Sequence, residues 1–231
     1  MRLLDLFCGA GGAAMGYHRA GFDEIVGVDI VPQPHYPFTF VQADAMTYPL
    51  DGFDAIHASP PCQHFTKYRN RVKDITDRYS DFLPQTRERL ANSGLPWVME
   101  NVVGAPMAAF VLCGSMFQGR GTVDIQRHRL FESSVFILTP GCDHSIWSEI
   151  KYTGGRSISR GGALVLCRKT IEIGKWGIPL AVQQEAMGID WMTLRELSES
   201  IPPAYTEFIG EQLIHQIASV ATREQENRDE R

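Results

Sequence analysis

The chain has 231 residues, of which 44% are hydrophobic and 21% charged, and its formal net charge at pH 7 is −5. This length predicts one domain, or one domain with a small appendage. No apolar stretch approaches the ~20 residues of a transmembrane helix, and no cleavage signal follows the first residues, so we expect a cytoplasmic protein. The five cysteines are odd in number and widely spaced, which favours reduced thiols over a disulfide framework.

The predicted elements of the N-terminal third alternate between strand and helix. A buried strand is predicted over residues 2–7, a helix over 13–20 and a second strand over 24–29. This is a βαβ unit, which opens a parallel sheet of an α/β fold. Further strands are predicted over residues 38–42, 53–58 and 97–102, with a helix around residues 87–91.

The C-terminal half gives weaker signals. Residues 130–138 are predicted to form a hairpin or two strands, and residues 204–220 an amphipathic helix. From Arg223 onward the chain is polar, which predicts a frayed tail.

The charge is distributed unevenly. Residues 1–63 carry 2 Lys and Arg against 7 Asp and Glu, residues 64–169 carry 15 against 9, and residues 170–231 carry 5 against 11. In the basic middle part, cations alternate with aromatic residues directly after Cys62, a composition suited to phosphate contacts and base stacking. A solvated helix face would explain the same charges.

The turn after the first strand contains the pattern G-x-G-x-x-A, which begins at Gly9. Glycine lets the backbone approach a ligand, and Asp29 ends the second strand where a carboxylate would accept hydrogen bonds from a ribose. The pattern fits NAD, FAD or the adenosyl part of S-adenosylmethionine, and a tight packing turn would also produce it. Asp44, after the third strand, is placed for an adenine amino group or, more simply, as a turn residue.

Cys62 lies in Ser59-Pro60-Pro61-Cys62-Gln63, immediately after a predicted strand. The two prolines restrict the backbone and give the thiol a defined direction, which makes Cys62 a candidate nucleophile. Taken alone, a free cysteine is more often a small buried core residue.

Five short blocks follow one another along the chain: Asp5-Leu6-Phe7-Cys8-Gly9-Ala10-Gly11-Gly12, Ala20-Gly21-Phe22, Pro60-Pro61-Cys62-Gln63, Glu100-Asn101-Val102 and Gln126-Arg127-His128-Arg129. In this order they resemble the signature blocks of DNA (cytosine-5) methyltransferases, of the compact phage or restriction-modification type. A weaker match continues through residues 184–189 and 201–210. The resemblance implies a Rossmann-like S-adenosylmethionine-dependent methyltransferase fold, with a mostly parallel sheet and a small irregular basic recognition subdomain.

The resemblance implies a catalytic role for four residues. Cys62 would add to C6 of a flipped-out cytosine, and Glu100 would hydrogen-bond N3 and the exocyclic amine. Arg129 would place a cation near O2, with Arg127 as its organiser. The methyl group would pass from S-adenosylmethionine to C5 and leave S-adenosylhomocysteine. The implied cofactor-binding residues are Phe7, Cys8, Gly9, Ala10, Gly11, Gly12, Asp29, Ile30, Asp44, Ala45, Pro61 and Ile201, and the implied DNA-binding residues are Gln63, Thr66, Lys67, Arg69 and Arg71.

The expected organisation is a catalytic core over residues 1–131, a reduced target-recognition region over 132–181, C-terminal helices over 182–222 that return to the core, and a polar tail over 223–231. We expect the protein to act on double-stranded DNA, as a monomer. The recognition region is shorter than is general in the family. Its recognition of a target sequence in DNA must therefore be minimal or assisted.

Two blocks depart from the family pattern. Gln126-Arg127-His128-Arg129 is compressed by one residue, so the arginine pair aligns only if Gln126 falls out of register. In Ser198-Glu199-Ser200-Ile201 an acid replaces the family's Asn.

Cys142-x-His144, together with Cys113 and Cys167, could be imagined as a zinc site. Neither Cys-x-x-Cys nor the usual finger spacing is present, so we predict structural roles for these residues and no metal. Three alternatives for the function stay open: an RNA cytosine-5 methyltransferase, a non-catalytic nucleic-acid-binding relative or, on the glycine turn alone, a dinucleotide oxidoreductase.

Overall fold

A seven-stranded sheet forms the centre of the computed structural model. The structure describes residues 1–65, 81–117, 124–125, 127–144, 147–149, 151–153, 156–158, 168–175 and 177–229. The predicted α/β class, with a mostly parallel sheet, is confirmed.

Strands and helices alternate through the first 101 residues, and each lies close to its prediction. The strands are β1 (Arg2–Leu6), β2 (Glu24–Asp29), β3 (Thr39–Gln42), β4 (Ala55–Ala58) and β5 (Trp97–Asn101), and the helices are α1 (Gly12–Ala20) and α2 (Leu83–Asn92).

The later elements are shorter, except for the last helix. They are the strands β6 (Phe110–Cys113), β7 (Asp124–Ile125), β8 (His128–Ser133), β9 (Trp147–Glu149), β10 (Lys151–Thr153), β11 (Arg156–Ile158) and β12 (Arg168–Ile171), a 3₁₀-helix (Gly114–Phe117), and the helices α3 (Leu180–Met187), α4 (Leu194–Glu199) and α5 (Pro203–Asp229).

The main sheet has the strand order β3-β2-β1-β4-β5-β8-β6. Strands β1 to β5 are parallel, whereas β8 runs antiparallel to both β5 and β6. The strand order reverses between β1 and β4, so the loops that follow these two strands border a crevice at the carboxyl edge of the sheet. This crevice receives both the glycine turn and Cys62.

Helices cover both faces of the sheet, because alternate residues of each strand point to opposite sides. On β1, Leu3 packs into one core cluster with residues of α1 and α5, and Leu4 and Leu6 pack into a second cluster with residues of α2. None of the described helices combines the length and the apolar character that crossing a bilayer requires.

The prediction for residues 130–138 is wrong in its pairing. One strand, β8, begins at His128 and ends at Ser133, and its partners are β5 and β6 rather than a neighbouring hairpin arm. Phe131 is fully buried between the two partners. Because both partners are distant in sequence, the local pattern could not reveal this pairing.

The prediction of a frayed tail from Arg223 also differs from the structure, which continues α5 to Asp229. The last turns are polar as expected, but their Glu, Gln and Arg residues are good helix formers and extend a helix already nucleated on the core.

The predicted recognition region contributes the short strands β9 to β12 among its described residues. β10 pairs with β11, and β12 lies between β7 and β9 in a second small sheet. Its boundaries, like those of the other predicted regions, stay predictions.

Helices α1 and α5 pack closely at Gly16. A Cβ atom at this position would lie 2.0 Å from Thr206 Oγ1 and 2.2 Å from the Pro203 carbonyl oxygen. The Thr206 hydroxyl donates a hydrogen bond of 2.9 Å to the Ala13 carbonyl across the same contact. Glycine is therefore required here by the distance between two backbones.

We expect Gly16→Ala to lower the free energy of unfolding by about 1–3 kcal/mol, because the added methyl group overpacks the contact. At an open position of a helix the same change would raise the free energy of unfolding by up to about 1 kcal/mol. The sign of the change therefore distinguishes a close-packed position from an open one. Urea denaturation measures the difference. Glu211→Ala, at an exposed position of α5, is the control and should stay within about 0.5 kcal/mol of wild type; a Gly16→Ala protein as stable as this control would contradict the packing argument.

Candidate active site

The turn after β1 adopts backbone conformations that side chains rarely reach. Gly9 and Gly11 have φ of 47° and 87°, and Phe7, at φ 58°, also lies in the left-handed region. A Cβ atom on Gly12 would lie 2.5 Å from the Ile201 carbonyl oxygen. Backbone strain of this kind costs energy and is concentrated at functional sites. The glycines therefore bring bare backbone to the edge of the crevice.

Asp29 braces this turn from the end of β2. Its Oδ2 accepts a hydrogen bond of 3.1 Å from the Gly9 amide, and its Oδ1 accepts one of 2.9 Å from the Val31 amide. A carboxylate has about four lone-pair sites, so these two bonds leave capacity for ribose hydroxyls. Ile30, beside it, is 69% exposed and offers an apolar surface at the same place.

Asp44 lies at the same edge, because the Ala43 amide donates to the Asp29 carbonyl over 3.1 Å. Asp44 Oδ1 also accepts a hydrogen bond of 2.8 Å from the Met46 amide, as a turn residue does. The remaining predicted cofactor residues, apart from Ile201, follow the carboxyl ends of β1 to β4, which share one edge of the sheet. They are Phe7, Cys8 and Ala10 after β1, Ile30 after β2, Ala45 after β3 and Pro61 after β4. Ile201 lies between α4 and α5, is buried, and has its carbonyl oxygen next to Gly12.

Trp191 supports the glycine turn from the C-terminal part of the chain. Its indole Nε1 donates a hydrogen bond of 3.0 Å to the Ala10 carbonyl. Nothing in the local pattern indicates the contact, because its partner lies 181 positions away.

The Cys62 loop is fixed between two strands. The Ser59 amide donates to the Leu6 carbonyl at the end of β1, over 3.1 Å. On the other side, the Asn101 side chain donates to the Pro60 carbonyl over 3.0 Å. Asn101 ends β5 directly after Glu100, so one strand end positions both the acid and the loop. Cys62 is half-buried there, as are Pro61 and Gln63.

Glu100 and Arg129 form an ion pair with an Nε to Oε1 distance of 2.9 Å, and Glu100 is only 6% exposed. The register of β5 and β8 causes this contact. Glu100 lies opposite Phe131, and Arg129, two residues before Phe131, is therefore its diagonal neighbour on the same face.

Arg127 is buried on the same face of the strand as Arg129. Its guanidinium donates hydrogen bonds to the Leu197 and Ser198 carbonyls at 3.4 and 2.5 Å, and the Tyr205 hydroxyl donates to its backbone carbonyl. Burial lowers the pKa of Arg127 to about 9, which leaves it charged at neutral pH. These contacts connect Arg127 to the segment at the end of α4; its organising role stays a prediction.

The pKa of Cys62 depends on the charge of Glu100, and the pKa values of both groups depend on the neighbouring Arg129. Burial raises the pKa of Glu100, and the charges of Arg129 and Arg127 oppose that shift. Burial also raises the pKa of Cys62; Glu100 adds to the increase and Arg129 reduces it. Cys62 is thus a thiol rather than a thiolate in the free protein. A nucleophile at this position must lose its proton as it attacks.

A chain of hydrogen bonds that the sequence did not predict leads to Glu100. The Tyr17 hydroxyl lies 3.0 Å from His57 Nδ1, and His57 Nε2 lies 2.8 Å from the Ser59 hydroxyl. Ser59 hydrogen-bonds Glu100 and lowers its pKa against the effect of burial. His57 is fully buried in β4, and burial lowers its pKa to about 3. A neutral imidazole offers one donor and one acceptor, and can therefore link the two hydroxyls and orient Glu100.

Five residues singled out by the sequence, Thr66, Lys67, Arg69, Arg71 and Gln126, lie outside the described residues. Their assigned roles stay predictions. Among the described residues, the structure brings Cys62, Glu100, Arg127 and Arg129 together at one end of the sheet, next to the glycine turn.

The N-terminal part of the chain is similar in sequence to known proteins. The family model of C-5 cytosine-specific DNA methylases matches residues 1–105. The Type II methyltransferase M1.HphI of Haemophilus parahaemolyticus is 31% identical in an alignment of 119 residues; the match covers 43% of this chain and 32% of that protein. The chain thus spans about a third of this curated relative.

Solved structures share the fold over nearly the whole chain. A protein described as a DNA modification methyltransferase, encoded within a prophage of E. coli, has a TM-score of 0.56 at 15% identity, covering 95% of this chain and 99% of its own. The Dnmt2 methyltransferase of S. pombe has the same TM-score and identity, 0.56 and 15%, over 94% and 99%. The Entamoeba histolytica methyltransferase EhMeth has 0.52 at 12% identity, over 94% and 98%. At these identities the likeness establishes a methyltransferase fold.

The buried His57 predicts a dependence of stability on pH. Between its folded pKa of about 3 and an unfolded value of about 6.5, the unfolded chain binds a proton that the folded chain does not. The free energy of unfolding therefore falls as the pH decreases through this window, by up to about 1.4 kcal/mol per pH unit from this group.

We expect His57→Gln to reduce this slope by up to one proton, measured by urea denaturation between pH 4 and 7. His215→Gln, at an exposed histidine of α5, is the control and should keep the wild-type slope. Equal slopes in wild type and His57→Gln would contradict a neutral buried imidazole.

Proposed function

We propose that the protein methylates C5 of cytosine in DNA, with S-adenosylmethionine as the methyl donor. The match of residues 1–105 to the family model of C-5 cytosine-specific DNA methylases supports this proposal. One observation carries the proposal. A half-buried cysteine on a fixed loop stands within electrostatic reach of a buried Glu100–Arg129 ion pair. A plain core cysteine or a dinucleotide-binding turn would need neither partner.

The crevice suits the adenosyl part of the proposed donor. Gly9 leaves room for close approach, because a Cβ atom there would meet nothing within 4 Å. Asp29 retains lone pairs for ribose hydroxyls, and the exposed Ile30 offers an apolar neighbour for adenine. When bound, S-adenosylmethionine would supply a methyl group on a sulfonium and leave as S-adenosylhomocysteine.

In the proposed reaction Cys62 releases its proton to solvent, and its sulfur bonds to C6 of cytosine. The displaced electron pair moves through the ring to N3, which takes a proton that Glu100 has acquired from solvent. The ring is then an enamine, whose C5 is electron-rich enough to accept the methyl group. Loss of the C5 proton to solvent and cleavage of the S–C6 bond restore the aromatic ring and the thiolate. The thiolate takes up a proton from solvent, and N3 returns its proton to Glu100.

Glu100 is suited to this exchange, because burial raises its pKa while two arginines oppose the shift. The carboxyl group can therefore hold a proton and release it without a large change in free energy. Arg129, fixed by the ion pair at 2.9 Å, provides a cation for the negative charge that builds on the ring and its O2. Arg127 holds that arrangement against the C-terminal segment.

The substrate base must leave the stack for Cys62 to reach it, at a cost of a few kcal/mol. We propose double-stranded DNA as the substrate and the cytoplasm as the location of a monomeric enzyme. The basic and aromatic residues directly after Gln63 would contact the displaced nucleotide and the DNA backbone.

The first test is methyl transfer from labelled S-adenosylmethionine to duplex DNA, single-stranded DNA and RNA, with base-resolution mapping. We expect label at C5 of cytosine in duplex DNA. Preferential labelling of RNA would show that RNA is the substrate and would leave the proposed reaction unchanged. Label on adenine, or on the exocyclic nitrogen of cytosine, would overturn the proposed reaction.

A second test uses duplex DNA containing 5-fluorocytosine, whose fluorine cannot leave as a proton, so the covalent intermediate is trapped. We expect wild type and Cys167→Ser to form an adduct that survives denaturing electrophoresis, and Cys62→Ser to form none. Binding of S-adenosylmethionine and DNA by Cys62→Ser should persist. If the adduct were lost in Cys167→Ser but kept in Cys62→Ser, Cys167 and not Cys62 would be the nucleophile.

For Glu100→Gln we expect kcat to fall by about 10²-fold or more, because the amide cannot deliver a proton to N3, while the Kd for DNA changes little. Glu88→Gln, at an exposed position of α2, is the control and should keep wild-type kinetics. A rise in Kd with kcat unchanged would show that Glu100 serves binding instead of proton transfer.

A further inference from the structure

Two cysteines and two histidines meet on the face of β8 opposite the catalytic arginines. Cys113 lies at the end of β6 and is directly opposite His128 of β8. Because side chains alternate along a strand, His128 points away from the face that carries Arg127 and Arg129. Cys142 and His144 come from the segment that follows β8, and complete a group of four.

The side chains of this Cys/His cluster are in contact. The Cys113 sulfur lies 3.2 Å from His144 Nε2, and the Cys142 sulfur lies 3.0 Å from His144 Nε2 and 3.4 Å from His128 Nε2. Within the described part of the chain, one potential ligand atom of each of the four residues lies within 4.8 Å of all the others.

These spacings are close to those of a tetrahedral zinc site. Zinc bonds of about 2.3 Å to sulfur and about 2.0 Å to nitrogen, at tetrahedral angles, separate sulfur from nitrogen by about 3.5 Å. Thiols and imidazoles make weak hydrogen bonds to each other, so hydrogen bonding alone gives little reason for four such groups to converge. Two soft sulfur ligands and two imidazoles are a donor set that selects zinc among common divalent ions.

We propose that Cys113, His128, Cys142 and His144 bind one Zn²⁺ ion in a closed, structural site. Four protein ligands leave no position for water or substrate, so the ion takes no part in catalysis. Each thiol loses a proton to solvent on binding, and the two thiolates balance the charge of the ion. The Ser115 hydroxyl, 3.5 Å from the Cys142 sulfur, is placed to donate a hydrogen bond to one of these thiolates.

The site would anchor the chain where it leaves the main sheet. Residues 134–144 form no helix or strand, and two of their large apolar side chains, Phe136 and Leu138, are 76% and 70% exposed. Ile137 is buried in the core and holds the first part of this segment, but residues 140–144 are all exposed. Packing gives these last residues little stabilisation, and a metal ion can supply it. Zinc would fix residues 142–144 against β6 and β8, on the other side of the strand that carries Arg127 and Arg129.

The inference departs from the absence of metal predicted from the sequence. The spacing rules describe ligands that lie close together on one hairpin or knuckle. Here Cys113 and His128 are brought together by strand pairing across 15 positions, and the other ligands follow the strand. The proposal does not depend on the methyltransferase function.

The test is the metal content of the protein, purified without chelator and dialysed exhaustively against metal-free buffer. By elemental analysis we expect about one zinc per chain in wild type. The variants Cys142→Ser and His144→Ala should lose it; both residues are exposed, so these changes should spare the core. Cys167→Ser and His215→Ala are the matched controls and should retain it.

A second measurement keeps the proposal testable if a variant folds poorly. Replacement of zinc by Co²⁺ in wild type should give the intense visible bands of tetrahedral cobalt and a thiolate charge-transfer band. A strong chelator should lower the Tm of wild type by several degrees and leave that of His144→Ala unchanged. The proposal would be overturned by any of three results: wild type that contains no zinc, zinc that is retained in both ligand variants, or a Cys113–Cys142 disulfide in protein purified under nitrogen.

Discussion

Glu100 and Arg129 form a buried ion pair, and the other features of the candidate site depend on where that pair lies. An isolated charge at this depth would be costly, and removal of one partner from a buried pair typically costs about 3–5 kcal/mol. The pair exists because β8 enters the sheet antiparallel to β5, in a register that makes Arg129 a diagonal neighbour of Glu100. It sets the electrostatic environment of Cys62, whose pKa Glu100 raises and Arg129 lowers.

Strand β8 therefore has two roles, one on each face. Arg127 and Arg129 face the candidate site, and His128 between them faces Cys113. The compression of the Gln126-Arg127-His128-Arg129 block leaves the alternation of the arginines intact, since they remain two residues apart. Under the proposed zinc site, one strand would hold catalytic cations on one side and a metal anchor on the other. Loss of the metal ion would then change the positions of the arginines if it changed the register of β8.

The fold was predictable wherever its determinants are local. Residues 1–101 carry clear alternation of apolar strands with helices, and β1 to β5, α1 and α2 appear close to their predicted positions. The strand pair at residues 130–138 was wrong, because the partners of β8 come from residues 97–101 and 110–113. The end of α5 was wrong because polar composition predicts exposure, and polar helix formers can still continue a helix that begins on the core.

The sequence by itself determined which side chains could do chemistry: a cysteine after two prolines, an acid at a strand end, two arginines and a glycine turn. These follow from residue type and order, which a linear pattern preserves. Only the tertiary structure decided that His57 and Ser59 orient Glu100, that Trp191 holds the Ala10 carbonyl, and that Cys113, His128, Cys142 and His144 converge. Ser59 and Glu100, Trp191 and Ala10, and the members of the Cys/His cluster are separated along the chain. Strand pairing and packing, which no local pattern encodes, bring them within reach.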